Sequence, residues 1–378
     1  MTLLVDEVAA PRSVRDFHQL PRAVYCGDPA WVAPLRSEIE RSLDSRRNPY
    51  FHHAVIRRFL CYRDNRPVAR AVAVVNFRHW QTFGTKAAFF GFFEALDDPQ
   101  AVQELFRHLE DFCRSRGADT IEGPFNPHHY SELGIQASHF GSPATFFQPY
   151  NPAYYSRLLA ASGFRVAKVL HTRKNGNIRD YLDRRYGNRL LRWEGDGFRV
   201  RSFSIRDMAG DMERIRQVNN DAFVGNWHFL PLSQEETHFS AKHLRLVTEP
   251  ELIQIVEYRG QAVGVLHCVL DINPLLRDLD GGAGPLKLIR FLLRKKRIET
   301  LIVFSVAIRK DFQHTRACTL LLNALCRQAR RFKVLETTWM SDENDLAVSI
   351  SRHLGLEPDR RFEIYEKNLR SSANGAGI

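Results

Sequence analysis

Phe304-Ser-Val-Ala-Ile-Arg-Lys-Asp-Phe-Gln-His-Thr-Arg-Ala-Cys-Thr-Leu-Leu-Leu-Asn-Ala-Leu325 is the stretch on which the reading of this chain turns. It continues an apolar run that begins at Leu301, which predicts a buried strand. The polar residues after Ile308 predict a short loop, and the apolar spacing beyond it predicts a helix over Thr319–Arg330. A helix N-terminus carries partial positive charge and bare amides, so this element is a docking place for an anionic group. Arg309, Lys310 and Arg316 set side-chain cations around it. Cys318 falls where a helix N-terminus would favour a thiolate.

The rest of the chain places that element in a duplicated unit. Phe59–Val75 and Ile253–Val269 each read as strand, tight turn and strand, with Asp64-Asn65 and Arg259-Gly260 at the turns. Each half later shows a segment that starts at Asn and ends at Gly: Asn151 to Gly163, and Asn344 to Gly355. Asn caps free amides and Gly takes the left-handed position after a helix, so both segments are predicted to be capped helices. Val68 and Val263 are 195 residues apart, Asn151 and Asn344 193, and Gly163 and Gly355 192, so one unit is repeated. Each unit is expected to run helix, hairpin, strand, long helix, strand, helix, strand. In the first, Asp98 and Pro99 open the long helix, and Arg165–His171 is the closing strand; in the second, Phe362–Tyr365 closes. The expected class is α+β with a mixed sheet in each domain. The expected domains are residues 1–185 and 196–370, joined by a Gly187–Gly197 linker and followed by a loose tail, 371–378.

The chain has 378 residues, 44% hydrophobic and 26% charged, enough for two well-filled cores. Nothing approaches the roughly 18 apolar residues of a spanning helix, and the N-terminus lacks the pattern of a signal peptide, so cytoplasmic residence is expected. Six scattered cysteines without a Cys-x-x-Cys pair argue against structural zinc and a disulfide framework. The net charge of +11 admits nucleic acid, anionic lipid or a polyphosphate cofactor. One segment concentrates it: Pro285–Ile298 carries six cations, no acid and a broad apolar face, behind the glycine-rich Asp280–Gly284. That pattern predicts an amphipathic helix behind a hinge, peripheral to an anionic membrane surface at its inner face. A helix covering the core with its cations in water is the other reading. Aromatic residues are not interleaved with these cations, which disfavours nucleic acid.

The order of elements, Gly163-Phe164, Gly355-Leu356 and the closing Ile364–Leu369 together resemble tandem GNAT-fold acyltransferases. Gly27–Leu35, Asn48–Phe51, Gly91–Glu94, Gly123–Asn126, Pro149–Tyr155 and Asn226–Pro231 resemble one bacterial family of such proteins, believed to include bacterial ceramide synthases. The resemblance implies two GNAT-like domains and N-acyl transfer from a thioester, acyl-CoA or an acyl-carrier protein, to an amine of a lipid-like acceptor, with no metal. It implies that Val306 and Ile308 on the strand, Gln313, His314, Thr315, Arg316, Ala317 and Cys318 in the loop, and Asn344 hold the donor. The family's loop reads Gln/Arg-x-x-Gly-x-Gly/Ala; here Gln313 is in register, but Arg316 and Cys318 stand at the small positions. Either side chains replace backbone amides as phosphate ligands, or the element has lost coenzyme A. A degenerate module that binds lipid or carrier protein without turnover, and a Fem-like transferase that uses aminoacyl-tRNA, are the alternatives. In the first unit, Phe93–Ala101 puts acids at the helix start, which would repel a pyrophosphate.

Asn126-Pro-His-His-Tyr-Ser-Glu-Leu-Gly134 is the densest polar loop. Glu132 or His129 is the candidate base for an attacking amine, with Asn126 and His128 beside the acceptor. Tyr150, Trp227 and Phe229 are candidates to line an acyl or sphingoid channel, and Tyr365 to protonate a leaving thiolate. Packing in the core is the other reading for each of these rings.

Overall fold

The computed structural model describes residues 2–128, 130–187, 196–244, 249–281 and 285–370. His129, most of the expected linker, residues 282–284 of the expected hinge and the tail therefore lie outside the described residues. The chain divides into two compact units. The first takes Met1–Val169 together with the residues from Arg361 onward, and the second takes Leu170–Arg360.

The first unit opens with β1 (Leu3–Glu7), α1 (Pro11–Val24) and α2 (Arg36–Ser42). The hairpin β2 (Ala54–Arg63) and β3 (Arg66–Asn76) follows, then α3 (Phe77–Phe83), β4 (Ala87–Ala95), α4 (Pro99–Ser115), β5 (Thr120–Gly123), β6 (Ile135–Gln136) and α5 (Tyr155–Ala161). Asp64 and Asn65 both take positive φ at the hairpin turn, the twist that matches right-handed strands. On α4, Ala101, Val102, Leu105, Phe106, Leu109 and Cys113 recur at helical spacing and are all buried; Asp98 accepts the Ala101 N–H at 3.1 Å as its cap. Phe106 packs on Phe90, Phe93 and Phe164 to form the centre of this core.

The second unit contains the later part of β7 (Arg165–Asn175), then α6 (Ile178–Tyr186), β8 (Phe198–Ser202), α7 (Met208–Phe223) and α8 (Gln234–Leu244). Its hairpin is β9 (Ile253–Tyr258) and β10 (Gln261–Leu270), turned at Arg259 and Gly260, both of positive φ. Then come α9 (Asn273–Leu279), α10 (Pro285–Lys295), β11 (Thr300–Ile308), α11 (Arg316–Ala329), β12 (Val334–Thr337) and α12 (Asp345–His353), followed by β13 (Glu357–Asn368). Within it β8, β9, β10, β11, β12 and β7 neighbour one another in that order, with β11 and β12 parallel.

Three sequence expectations need correction. The closing strands are exchanged between the halves of the sequence. From Leu170 onward β7 pairs β12 in the second unit, with Leu335 opposite Asn175. From Arg361 onward β13 pairs β5 in the first, with Tyr365 opposite Gly123. The exchange is backed by buried contacts: Tyr365 and Leu369 belong to the first core, and Lys367 Nζ meets Glu110 at 2.5 Å. Boundaries at 185 and 196 therefore do not divide the units, because periodicity marks a strand but not its sheet. Second, β1 and β8 each add an edge strand that the sequence reading missed. Third, Asn344 does cap α12, accepting the Ala347 N–H at 3.1 Å, but Asn151 caps nothing; its amide clamps Gln136, accepting the N–H at 2.7 Å.

Candidate functional site

In the first unit the polar constellation grows from a bulge. Arg70 stands opposite Glu94 and Val72 opposite Gly91, so β4 carries one residue more than β3 across the same span. Bulges re-aim side chains and recur beside sites. Phe92 sits in it at φ 50°, and its N–H donates to Asn126 Oδ1 at 2.6 Å. With that oxygen occupied, the Asn126 amide donates its NH2 to the Glu132 carboxyl. The loop closes on itself: Asn126 N–H donates to Glu132 O at 3.1 Å and Gly134 N–H to Pro124 O at 2.9 Å. Gly91 is required here, since a Cβ would stand 1.8 Å from Phe125 O.

Glu94 lies at the heart of the same region. Tyr25 and Tyr155 donate their phenolic hydrogens to it at 2.8 and 2.7 Å, and the buried Arg70 guanidinium stands 3.8 Å away. Burial pushes the Glu132 carboxyl up to about 7; the charge on Glu94 adds to the rise and the Asn126 hydrogen bond opposes it. A carboxyl that ionises near neutrality can take the proton of an amine. Of the neighbours proposed from sequence, His128 packs on Tyr50 and accepts the Tyr130 N–H at 3.3 Å, and Tyr150 donates to Asp28 at 2.6 Å. Tyr365 lies in this unit, not in the second. Its hydroxyl donates to Glu363 at 2.6 Å, and burial pushes it up to about 12. The sequence reading missed Glu94, Arg70 and Tyr25. The available signal was a lone Arg and a lone Glu inside otherwise apolar strands, each too costly to bury unpaired.

The two units differ at the strand edge that precedes their long helix. On β4 that edge is filled by the chain itself. Phe92 N–H meets Asn126, Ala95 N–H donates to Tyr155 OH at 2.8 Å, and Tyr154 OH donates to Ala95 O at 2.8 Å. The helix beyond starts on Asp98, locked to Arg63 by bonds of 2.6 and 2.8 Å.

In the second unit the β11–β12 ladder stops at Val303 and Thr337, with Thr338 reaching back to the carbonyls of Val303 at 3.1 Å and Phe304 at 3.2 Å. A bulge again marks the place, between His267 and Cys268 opposite Phe304. From Ser305 to Ile308, β11 has β10 on one side and no strand on the other among the described residues. Val306 and Ile308 lie on this edge. The chain then turns through Lys310–Phe312 into α11, whose cap is Thr315: its hydroxyl accepts the Ala317 N–H at 3.3 Å and donates to Phe312 O at 2.7 Å. His314 and Arg316 are exposed beside these amides, and Gln313 turns back toward Ile308 O. Arg316 pairs with Asp196, and Arg309 with Asp221 at 2.8 Å. Cys318 is partly buried, and burial pushes its thiol up, against the thiolate that a helix N-terminus would favour. An open strand edge, a helix N-terminus and exposed cations fit an extended thioester ending in phosphates.

Phe229 is buried against Phe223, while Trp227 remains 36% exposed. Asn344 spends its side-chain oxygen on the α12 cap. Among the described residues no group of His, Cys, Asp and Glu is arranged to hold a metal ion.

No protein-family model matches the chain. Over 97% of its length it is 28% identical to a protein of Caulobacter vibrioides named bacterial ceramide synthase, covering 98% of that protein. Over 94% it is 25% identical to Protein YghO of Escherichia coli, covering 93% of it. Among solved structures, a tandem GNAT protein from the clavulanic acid biosynthesis pathway matches 98% of this chain over all of its own length, at 13% identity and a TM-score of 0.58. A GCN5-related N-acetyltransferase from Sphaerobacter thermophilus matches 97% of this chain and 96% of its own, at 14% identity and a TM-score of 0.52. With its duplicated α+β units and their likeness to these structures, the chain has the tandem GNAT fold and fits a tandem GNAT-like family.

Proposed function

We propose that this protein is an N-acyltransferase that moves a long-chain acyl group from a CoA or carrier-protein thioester to the amine of a lipid-like acceptor. The observation that carries the reading is the difference between the two strand edges: β4 is filled by Asn126, Tyr154 and Tyr155, whereas β11 meets side chains at the carbonyls of Phe304 and Ile308 but has no strand beside Ser305–Ile308 among the described residues, and leads to the N-terminus of α11. The second unit would receive the donor, its backbone edge along the thioester arm and the Gln313–Cys318 turn at the phosphates. Arg316 supplies by side chain what glycine amides supply elsewhere, provided that phosphate displaces Asp196. In the reaction the amine nitrogen attacks the thioester carbonyl carbon, a C–N bond forms, and the C–S bond breaks to release a thiol. The amine must shed one proton as the thiol gains one, and Glu132 is the group we assign to accept the amine's proton. The relative named bacterial ceramide synthase supports an acceptor with a long-chain amine.

Titrating the full chain separately with a long-chain acyl-CoA, an acylated carrier protein and an aminoacyl-tRNA tests the donor. Saturable binding of a thioester is expected. Tight binding of the tRNA, with none of either thioester, would leave the reading without support.

A further inference from the structure

The outward face of α10 is apolar where a solvated helix should be polar. Ile289, Leu292 and Leu293 are 56%, 54% and 73% exposed, while Phe291 is only 4% exposed. At about 100° per residue, Ile289, Leu292 and Leu293 form one stripe roughly opposite Phe291, which anchors the helix to its own unit. The stripe therefore points away from the core rather than covering it.

The cations of α10 divide into two sets. Lys287 Nζ donates to Leu279 O at 2.9 Å, Arg294 meets Asp278 at 2.5 Å, and Lys295 lies 3.8 Å from Glu249. These three fasten the helix in place. Arg290 on the helix, and Lys296 and Arg297 just beyond it, are exposed and make no ion pair among the described residues. An exposed apolar ridge flanked by unpaired cations has a chemical complement: a layer with an apolar interior and an anionic surface. A second copy of the chain fits less well, because a two-fold contact over the ridge would bring like charges at Arg290, Lys296 and Arg297 together. No described helix is long and apolar enough to cross a bilayer.

We infer that α10 docks on an anionic phospholipid surface, with Ile289, Leu292 and Leu293 entering the headgroup boundary and Arg290, Lys296 and Arg297 meeting lipid phosphates. The inference deepens the lipid-acceptor reading above, since such docking would bring the protein to where a lipophilic amine resides.

Co-sedimentation of the full chain with vesicles tests it, using phosphatidylcholine alone and phosphatidylcholine with about one third phosphatidylglycerol. Binding to the anionic vesicles is expected, at least about tenfold tighter than to the neutral ones and weakened by salt. Leu292→Ser with Leu293→Ser, and separately Arg290→Glu with Lys296→Glu and Arg297→Glu, should each reduce that binding by about tenfold or more. All five positions are exposed, so the thermal melt of each variant should match the parent. Equal binding to both vesicle types, or variants that bind as the parent does, overturns the inference. Self-association of the parent that the serine variant abolishes overturns it in favour of a second copy. Vesicle binding without acyl transfer in any assay leaves the docking intact and removes the acyltransfer reading; acyl transfer to a water-soluble amine without vesicle binding does the reverse.

Discussion

Glu94 and Glu132 feel each other's charge, yet their surroundings divide the work. Glu94 takes two phenolic hydrogen bonds and faces Arg70, so its carboxylate is spoken for. Glu132 accepts a hydrogen bond from the Asn126 amide, and burial carries it up to about 7. Glu132→Gln should lower the rate of acyl transfer by about 100-fold or more while leaving thioester binding within about twofold, the scale of a lost general base. The parent rate should rise with pH through an inflection near 7, and the variant should lack that limb. Stability provides a second readout. A carboxyl whose folded value is raised favours folding below its ordinary value of 4.5, and that contribution is lost as pH rises through about 7. Glu132→Gln should therefore reduce the fall in Tm between about pH 5 and about pH 8. At this scale the sequence was partly legible. Asn126 and Glu132 share one short polar loop and could be singled out, whereas Arg70 and Glu94 meet only through a strand register set by a bulge, which no local pattern announces.

The elements explain how two copies of one unit come to differ. Each has a bulged strand followed by a long helix, but one edge is filled by Asn126, Tyr154 and Tyr155, and the other has no strand beside Ser305–Ile308 among the described residues. Both hairpins, both long helices and the Asn344 cap follow from turn residues, spacing and capping chemistry that sequence displays. The Asn151 clamp does not, because the same Asn side chain serves a cap or a strand equally well. The altered loop can be tested at this scale. Arg316 is held by Asp196 across the mouth of α11, both side chains largely exposed. Removing either should move donor affinity in opposite directions: Arg316→Ala should weaken acyl-CoA binding by about tenfold, and Asp196→Asn should tighten it by about two- to threefold. Calorimetric titration of both variants checks this. Equal affinities in parent and both variants would show that the turn does not bind phosphate.

The molecule as a whole is assembled by exchanging closing strands. The first core is completed by Tyr365 and Leu369, and β5 has its partner in β13. A fragment of residues 1–185 should consequently fail to melt cooperatively, although length and composition alone would suggest a self-sufficient domain. The full chain cut after residue 360 should lose the first unit's cooperative transition, and a chain cut after residue 370 should keep it. Differential scanning calorimetry on these three chains decides the matter; a sharp transition from residues 1–185 would mean that the exchange is dispensable. Whether this architecture performs acyl transfer is decided by a single reaction followed at both products. The full chain is incubated with a long-chain acyl-CoA and a long-chain amine, and amide and free thiol are quantified by mass spectrometry and thiol titration. Equal amounts of amide and thiol, formed by the parent and lost in Glu132→Gln, are the predicted result. Thiol without amide, or neither product despite bound acyl-CoA, would contradict the account.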